Sequence, residues 1–338
     1  MKQIDREYIT IIIPVYNCGK LIPACIDSIR FQTVSNWRLI IVDDGSTDDT
    51  GEIVDRYMDK DNRIEVFHQE NAGPGAARNK GVEKCQTRWL TFVDADDILE
   101  SDYLQNFHVE ELEDDSCLSV QGYKRVDIKG RFLGEQYNLP TKIYSGSLFM
   151  ERAFKECGLF MYGQSIGKLY NKNIIEVNNL RIATDFNLSE DHLFFLQYLS
   201  YVNSIRTHSG VKYLYQMIEG QISLSIKKAP WEEALKRYTA LRQASVDIID
   251  KFCIMDKDVL SQINYFSITG GISHILHSLY HSNCEKEKRK ELITKLSLDV
   301  KKEQACFVSN SLRGKFLKLC LLLFPPSVQD TFYSKVFK

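Results

Sequence analysis

One pattern recurs along the first hundred residues. A short apolar run, which predicts a strand, is followed by a turn and then by apolar residues at helical spacing. The four stretches that contain such strands and their polar ends are residues 9–17, 38–47, 63–68 and 89–97. Helical spacing follows, as between residues 18 and 33, where apolar side chains recur every three or four positions. This alternation predicts βα units, and therefore an α/β fold with a mostly parallel, doubly wound sheet whose strand ends face one crevice.

The fourth stretch ends abruptly in carboxylates. Asp94 and Asp96 lie two positions apart at the predicted carboxyl edge of the sheet, where parallel sheets place their ligands. Hard divalent cations take oxygen ligands, and a metal held by one or two carboxylates commonly completes its shell with phosphate oxygens. The stretch therefore predicts a metal–diphosphate site. Acidic residues also occur in ordinary solvated loops, and Ser101-Asp102 downstream could begin a helix by itself.

Four segments resemble, in order and spacing, the successive signatures of family 2 glycosyltransferases with the GT-A (Rossmann-like) fold. They are PVYN at 14–17, VDDGSTDDT at 42–50, NAGPGAARNKG at 71–81 and FVDADD at 92–97. The resemblance implies an inverting transfer of a sugar from a nucleotide-diphosphate sugar, expected to be a UDP-sugar, to a hydroxyl of a glycan or lipid-linked acceptor. It also implies Mn²⁺ or Mg²⁺ on the diphosphate, and a role in bacterial polysaccharide or glycolipid assembly.

The same resemblance assigns roles to single residues. It implies metal binding by Asp96 and nucleotide binding by a set of residues from the four segments: Pro14, Tyr16, Asn17, Asp44, Gly73, Arg78, Asp94 and Ala95. In the family, the residue that matches Asp44 accepts a hydrogen bond from the uracil ring.

The residues themselves leave simpler interpretations open. A plain turn, with Ser46 or Thr47 capping the next helix, explains the second segment equally well. Gly73 and Gly75 would let the backbone approach a ligand closely. Arg78 would reach the nucleotide from the first turns of the following helix, although surface arginines are common there.

A direct displacement also needs a base to take the proton of the acceptor hydroxyl. Residues 188–199 predict a helix with Ser189 as N-cap and Glu190, Asp191 and His192 in its first turn. The pair resembles the Glu-Asp pair of the family, whose second acid is the base, so we expect Asp191 to be catalytic. From the residues alone, stabilisation of the helix dipole by first-turn acids is the stronger interpretation.

The chain between these sites is less informative. Residues 116–132 predict a hairpin with its turn at Lys129-Gly130. Residues 162–171 lie where the family often has a Trp-x-Lys-Leu-Tyr stretch near the acceptor, with Gly167 in place of a bulkier residue. Lys168 could neutralise charge on the leaving group or acceptor, but a lone lysine is more often solvated, and we expect it outside the site.

Two regions are expected. Residues 1–225 would form the GT-A domain, with a nucleotide-binding half to about residue 110 and an acceptor half beyond it, and residues 226–338 a helical region. Helical spacing is found at 231–252, 256–281 and 285–298.

Residues 313–326 then place a dense apolar block between lysines. The block is too short to span a bilayer. It is suitable for the membrane interface, or for packing against the rest of the protein or a second subunit.

Whole-chain properties limit the remaining function classes. The 338 residues are 44% apolar, enough for a sizeable core, and the formal net charge of −2 gives no electrostatic case for nucleic acid. Nine scattered cysteines without a Cys-x-x-Cys pair favour a reducing compartment. We expect no signal peptide and no spanning helix. The expected location is therefore cytoplasmic, with peripheral contact at the inner face of the plasma membrane.

Three other classes fit part of the pattern. A haloacid-dehalogenase-type phosphatase would use Asp94 as nucleophile and Asp96 beside it, but Ile98 replaces the usual Thr or Val, and the strand comes fourth instead of first. A dinucleotide-binding oxidoreductase would place its glycine fingerprint at the first turn, which has only Gly19. A non-catalytic nucleotide-sugar-binding protein would need Asp191 only as a helix cap.

Overall fold

The fold was analysed in a computed structural model. It describes residues 9–112, 114–186, 188–218, 230–302 and 312–336. The chain divides into two compact units, of which the first comprises Met1–Cys157 and Gly163–Ile222, and the second Gly158–Tyr162 and Ser223–Lys338. The predicted boundary at 225/226 lies outside the described residues, and the predicted halves of the first domain stay a prediction.

The first unit is built on one sheet. Its strands are β1 (Ile9–Val15), β2 (Trp37–Asp43), β3 (Ile64–His68), β4 (Trp89–Phe92), β5 (Ile98–Leu99), β6 (Cys117–Asp127), β7 (Phe132–Tyr137), β8 (Lys142–Tyr144), β9 (Lys168–Asn171) and β10 (Ser204–Met217). The order is β3-β2-β1-β4-β9-β6-β10-β5, with β7 paired to β6 and β8 paired to β10.

The four predicted strands form the parallel part of this sheet. β1 lies between β2 and β4, and β3 extends the edge beyond β2, all in parallel. β9 then runs antiparallel to both β4 and β6, whereas β6 and β10 pair in parallel. The α/β class is confirmed, and the sheet becomes mixed beyond β4. The predicted hairpin is also confirmed, since β6 and β7 are antiparallel neighbours.

Helices cover both faces of the parallel strands. They are α1 (Ile22–Arg30), α2 (Thr50–Met58) and α3 (Pro74–Lys84), followed along the first unit by α4 (Phe149–Cys157), α5 (Lys172–Val177) and α6 (Glu190–Leu199). Alternate β1 residues such as Ile11 and Ile13 join the core beneath α1 and α2. Ile12 faces α3, where a Cβ added to Gly81 would lie 2.3 Å from Ile12 Cγ2. The absent side chain at residue 81 therefore lets α3 lie close against β1.

The second unit is helical, as predicted. Its helices are α7 (Trp231–Lys251), α8 (Lys257–Asn264), α9 (Gly271–Tyr280), α10 (Lys286–Lys302), α11 (Leu312–Leu323) and α12 (Pro326–Val336). A π-helical stretch, Tyr265–Gly270, joins α8 to α9, so the predicted helix over 256–281 forms one continuous run. Ile272, Leu296, Leu321 and Tyr333 are buried in one core that unites α9 to α12. Within the described ranges, no helix is both long enough and apolar enough to cross a bilayer.

Candidate active site

The ends of β1 and β2 are joined by the side chain of Asn17. Its Oδ1 accepts a hydrogen bond of 2.7 Å from the Thr47 N–H, and its own N–H donates to Ser46 Oγ at 3.0 Å. The predicted capping of α2 by Ser46 or Thr47 is wrong, because α2 follows Asp49 and these two residues bond to Asn17. Asn17 has a positive φ of 49°, so its backbone turns sharply at the crevice.

Asp44 fastens the end of β2 to the loop before α3. Its buried carboxylate accepts hydrogen bonds from the N–H groups of Ala72 (2.9 Å) and Gly73 (2.8 Å) and from Gln69 Nε2 (2.7 Å). A carboxylate offers about four acceptor positions, so about one remains for a ligand. Asp44 therefore has a structural function whether or not it contacts a base.

The space over Gly75 is filled by the chain itself. A Cβ at Gly75 would lie 2.5 Å from the Ala183 carbonyl oxygen. The Asn79 amide exchanges two hydrogen bonds with the backbone of Ile182, at 2.8 and 2.9 Å. Gly75 therefore accommodates the segment that leads toward α6, and the approach of a ligand to its backbone stays a prediction.

Arg78, also on α3, connects the two acidic parts of the site. Its Nη2 lies 2.7 Å from Asp94 Oδ1, and its Nη1 lies 3.5 Å from Glu190 Oε1. The residue is only 6% exposed, so the interpretation as a surface arginine is wrong. One guanidinium group therefore brings the end of β4 and the start of α6 together.

The carboxylates after β4 have different environments. Asp97 is buried and accepts hydrogen bonds from the Tyr213 hydroxyl (2.6 Å) and the Gln216 N–H (2.8 Å). The Tyr213 oxygen in turn accepts from the Asp94 N–H at 3.1 Å. β10 thus holds Asp97 inside the protein, and the half-buried Asp94 and Asp96 carboxylates are the ones left for a ligand.

Asp96 has the properties of a cation ligand. Burial, and then the Asp94 charge, raise the pKa of Asp96 to about 6. Among the described residues, no basic side chain forms an ion pair with it. Two neighbouring carboxylates with this repulsion, offering hard oxygen donors, fit a divalent cation such as Mn²⁺ or Mg²⁺.

The first turn of α6 carries the second acidic pair. The Asp191 carboxylate accepts hydrogen bonds from the His192 N–H (2.7 Å) and the Ser165 N–H (3.3 Å). Ser189 stands at the predicted N-cap position, but its side chain makes no capping hydrogen bond and its φ is 63°. Asp191 therefore does bond a backbone N–H of the first turn, as the capping interpretation requires, while Ser165 fixes its second oxygen.

Burial determines the charge behaviour of this pair. It raises the pKa of Glu190 to about 7, with a further rise from Asp191 and an opposing effect of Arg78. Burial also raises the pKa of Asp191. The positive charge of Arg78 opposes this rise, and the negative charge of Asp94 adds to it. Both carboxyl groups are consequently harder to ionise than exposed ones.

Lys168 belongs to this region, contrary to our expectation. The residue is only 3% exposed, and its ammonium group donates to the carbonyls of Gln164 (2.5 Å) and Ile166 (3.3 Å). Its Nζ also lies 4.7 Å from the ring centroid of Phe195 on α6. The one signal in the sequence is that this lysine begins a strand whose four residues are all buried.

The remaining nucleotide-binding candidates lie at the same strand ends. Pro14 is the second-last residue of β1, and Tyr16, just after that strand, has half of its surface exposed. Ala95, which separates Asp94 from Asp96 in the sequence, is buried. Gly73 precedes α3 with a φ of 90°. The ligand contacts of all these residues stay predictions.

Known proteins resemble this chain in sequence and in fold. Residues 10–176 match the family described as Glycosyl transferase family 2. An uncharacterized glycosyltransferase of Haemophilus influenzae is 33% identical over 228 residues, which cover 66% of this chain and 84% of that protein. The chain belongs to family 2 of the glycosyltransferases. This membership excludes the two alternatives that assigned the chain to the phosphatases or the oxidoreductases.

Other relatives of this glycosyltransferase are longer or more distant. Glycosyltransferase GlyA of Streptococcus pneumoniae is 36% identical over 177 residues, covering 50% of this chain, and the chain spans 25% of GlyA. The crystal structure of S. aureus TarS 1-349 in complex with UDP-GlcNAc is 21% identical, with a TM-score of 0.69 over 97% of this chain and 90% of that one. That likeness shows the GT-A fold.

The buried Arg78 ion pairs make a prediction about stability. Arg78→Met should destabilise the protein by about 3 kcal/mol or more at neutral pH, because it leaves Asp94 and Glu190 without their cation. Without Arg78, which lowers the pKa of Glu190, that pKa rises further in the folded variant, which then takes up protons more readily than the unfolded chain. The deficit should therefore shrink as the pH falls, in urea titrations between about pH 8 and pH 5.

Arg56→Met is the matched control. Arg56 pairs with Glu52 at 3.8 Å on the exposed surface of α2, so its loss should cost less than about 0.5 kcal/mol at every pH. Equal losses in the two variants, or a loss in Arg78→Met that does not change with pH, would contradict the assignment.

Proposed function

We propose that this glycosyltransferase moves a hexose or hexosamine, with inversion, from a UDP-sugar to a hydroxyl group of a glycan or lipid-linked acceptor. The observation that carries the proposal is the Arg78 bridge, whose guanidinium contacts both Asp94 and Glu190. A single displacement requires the donor, the acceptor hydroxyl and the base to be held together in one geometry. The bridge keeps the donor-side and base-side carboxylates in such an arrangement.

Asp191 is the base in this proposal. As the new bond forms at the anomeric carbon, the carboxylate takes the proton of the acceptor hydroxyl, and attack opposite to the leaving diphosphate inverts the configuration. Burial raises the pKa of Asp191 and so brings it nearer to neutral pH, where a base transfers protons most effectively. The Ser165 and His192 N–H groups hold the carboxylate in place.

The nucleotide is bound at the ends of β1, β2 and β4. Asp44 offers its remaining acceptor position to an N–H of the uracil ring, and Asp94 orients the ribose. Support for a UDP-sugar comes from TarS, whose similar fold was solved in complex with UDP-GlcNAc.

Asp96 would hold the divalent cation, Mn²⁺ or Mg²⁺. When bound, the cation supplies positive charge that neutralises the departing diphosphate. The chain's own contribution is to present Asp96 beside Asp94 while β10 keeps Asp97 turned inward.

The metal assignment is tested by binding. Asp96→Ala should weaken UDP binding in the presence of Mn²⁺ by about tenfold or more, because the variant loses its carboxylate ligand, while UDP affinity without metal changes little. Calorimetry with UDP, with Mn²⁺ and with both measures the difference. Glu65→Ala removes an exposed carboxylate of β3 and should behave like the wild type. If Mn²⁺ increases the affinity for UDP equally in the wild type and in Asp96→Ala, Asp96 is not the metal ligand.

The base assignment is tested by turnover. Asp191→Asn should lower transfer by about two orders of magnitude or more, while UDP-sugar affinity holds, because the amide keeps the shape but accepts no proton. In the wild type, the rate should fall as the pH falls through the raised pKa of the carboxylate, since only the ionised form is a base. Release of UDP from UDP-GlcNAc, UDP-glucose and UDP-galactose, with alkyl glycosides as acceptors, measures the rate.

A capping aspartate provides the control. Asp256 caps α8 by accepting hydrogen bonds from the N–H groups of Asp258 and Val259, so Asp256→Asn should change thermal stability and leave transfer unchanged. If Asp191→Asn likewise loses only stability, the capping role is its whole function. A wild-type protein that binds the sugar nucleotides without any turnover would favour a non-catalytic binding protein.

Peripheral membrane contact through α11 is the second part of the proposal. α11 buries Leu317, Cys320 and Leu321 in the helical core. Its other face exposes Phe316, Leu319 and Leu323, at 45%, 46% and 67%, with the spacing of a single helical stripe. Lys315 and Lys318 lie along one side of this stripe, so anionic lipid at the inner face of the plasma membrane fits both its apolar and its charged groups.

Substitution tests this contact better than truncation, because removal of α11 would open the core. Leu319→Gln combined with Leu323→Gln should keep the melting temperature and lose most sedimentation with phosphatidylglycerol vesicles, since the apolar stripe is gone. Binding by the wild type should fall with added salt and on phosphatidylcholine vesicles. Leu298→Gln, at an exposed leucine of α10, is the control. Wild-type protein that ignores anionic vesicles, or a stripe variant that changes oligomeric state instead, would remove the membrane contact from the proposal.

A further inference from the structure

Lys168 is a buried cation whose hydrogen bonds go to neutral groups. Its ammonium group donates to the carbonyls of Gln164 and Ile166 and lies over the ring of Phe195. Moving an ammonium group out of water costs several kcal/mol, and two carbonyls offset only part of that cost. Burial accordingly lowers the pKa of Lys168 to about 7, against an opposing effect of the Asp191 carboxylate. A methionine of similar length would fill the same space without this cost.

The two carbonyls flank the residue that holds Asp191. Gln164 and Ile166 are the neighbours of Ser165, whose N–H donates to Asp191 Oδ2 at 3.3 Å. The Gln164 carbonyl shares one peptide plane with the Ser165 N–H, so its hydrogen bond to Lys168 fixes the direction of that N–H. The bond to the Ile166 carbonyl fixes the next peptide but one, Ile166–Gly167. Lys168 is thereby coupled to the orientation of the Asp191 carboxylate through one residue.

The loop formed by residues 163–167 is closely packed at both of its glycines. A Cβ on Gly163 would lie 2.1 Å from the Cγ atom of His192, the residue after Asp191. Gly167 has a φ of 67°, and a Cβ there would lie 2.7 Å from the Gln121 carbonyl oxygen. The 163–167 loop is therefore packed against α6 at one end and against β6 at the other, with the Lys168 ammonium holding its middle.

We propose that Lys168 is a positioning residue for sugar transfer: its ammonium group holds the 163–167 loop so that the Ser165 N–H keeps the Asp191 carboxylate oriented toward the acceptor hydroxyl. The inference rests on the proposed role of Asp191 as the base. Lys168 need not touch the donor or the acceptor for this role.

Lys168→Met separates positioning from structural support. The variant should melt at the same temperature as the wild type or higher, because an apolar side chain replaces a buried cation. Its kcat should fall about tenfold to a hundredfold, while the KM for the UDP-sugar changes less than about twofold. Lys124→Met, at a half-exposed lysine paired with Glu100 at 3.2 Å, should leave kcat unchanged.

A double-mutant comparison tests the route through Asp191. If Lys168 acts only by orienting that carboxylate, Lys168→Met should change the residual rate of Asp191→Asn by less than about twofold, because the base is already absent. A further tenfold loss in that background would mean that Lys168 acts elsewhere, and would overturn the inference. A lowered melting temperature, with normal kcat recovered on cooling, would overturn it in favour of a structural role.

The failure of this inference can be told apart from failure of the base assignment. Normal kcat in Lys168→Met together with an inactive Asp191→Asn removes the positioning role and leaves the base in place. Normal kcat in Asp191→Asn removes the base assignment, and the positioning role with it.

Discussion

The contacts of one buried guanidinium hold the candidate site together. Arg78 projects from α3 and reaches Asp94 after β4 and Glu190 at the start of α6, which lie almost a hundred residues apart in the chain. Burial of a cation is unfavourable, and two carboxylates at 2.7 and 3.5 Å offset that cost. The same cation lowers the pKa values of Glu190 and Asp191, which burial raises. The placement of Asp94 beside Glu190 and the ionisation of Glu190 and Asp191 thus depend on one side chain.

Periodicity was sufficient to predict the four parallel strands, because the first three are each followed by a helix and all four pair with a neighbour from the same pattern. It was insufficient for β9. That strand has four residues, and only two of them pair with β4, so local sequence carries little information about its direction. Its position depends on contacts with β4 and β6, which come much earlier in the chain.

The candidate site likewise contains residues that the sequence indicates and residues that it does not. Asp94, Asp96 and Asp191 could be proposed from the sequence because their residue types and order resemble a family pattern. Asp97 could not be distinguished from its neighbours by sequence, because what withdraws it from the crevice is the Tyr213 hydroxyl, 116 positions away. Lys168 was misjudged for a similar reason, since the usual exposure of lysine outweighed the single hint that it begins a buried strand. A contact far along the chain decides the environment of Asp97, and burial in the sheet decides that of Lys168; composition and spacing record neither.

The two hydrogen bonds between Asn79 and Ile182 have a consequence for how this chain can diverge. Asn79 follows Arg78 on α3, so a single eleven-residue helix grips both the segment that precedes α6 and the carboxylates on either side of the site. The positions of the two acidic pairs are therefore set by their contacts with α3 and not by the conformation of the chain between them. Insertions or deletions between β5 and β9 can then occur without changing the distance between the two acidic pairs. The length of the segment between β5 and β9 and the spacing of the acidic pairs are in this sense separately adjustable.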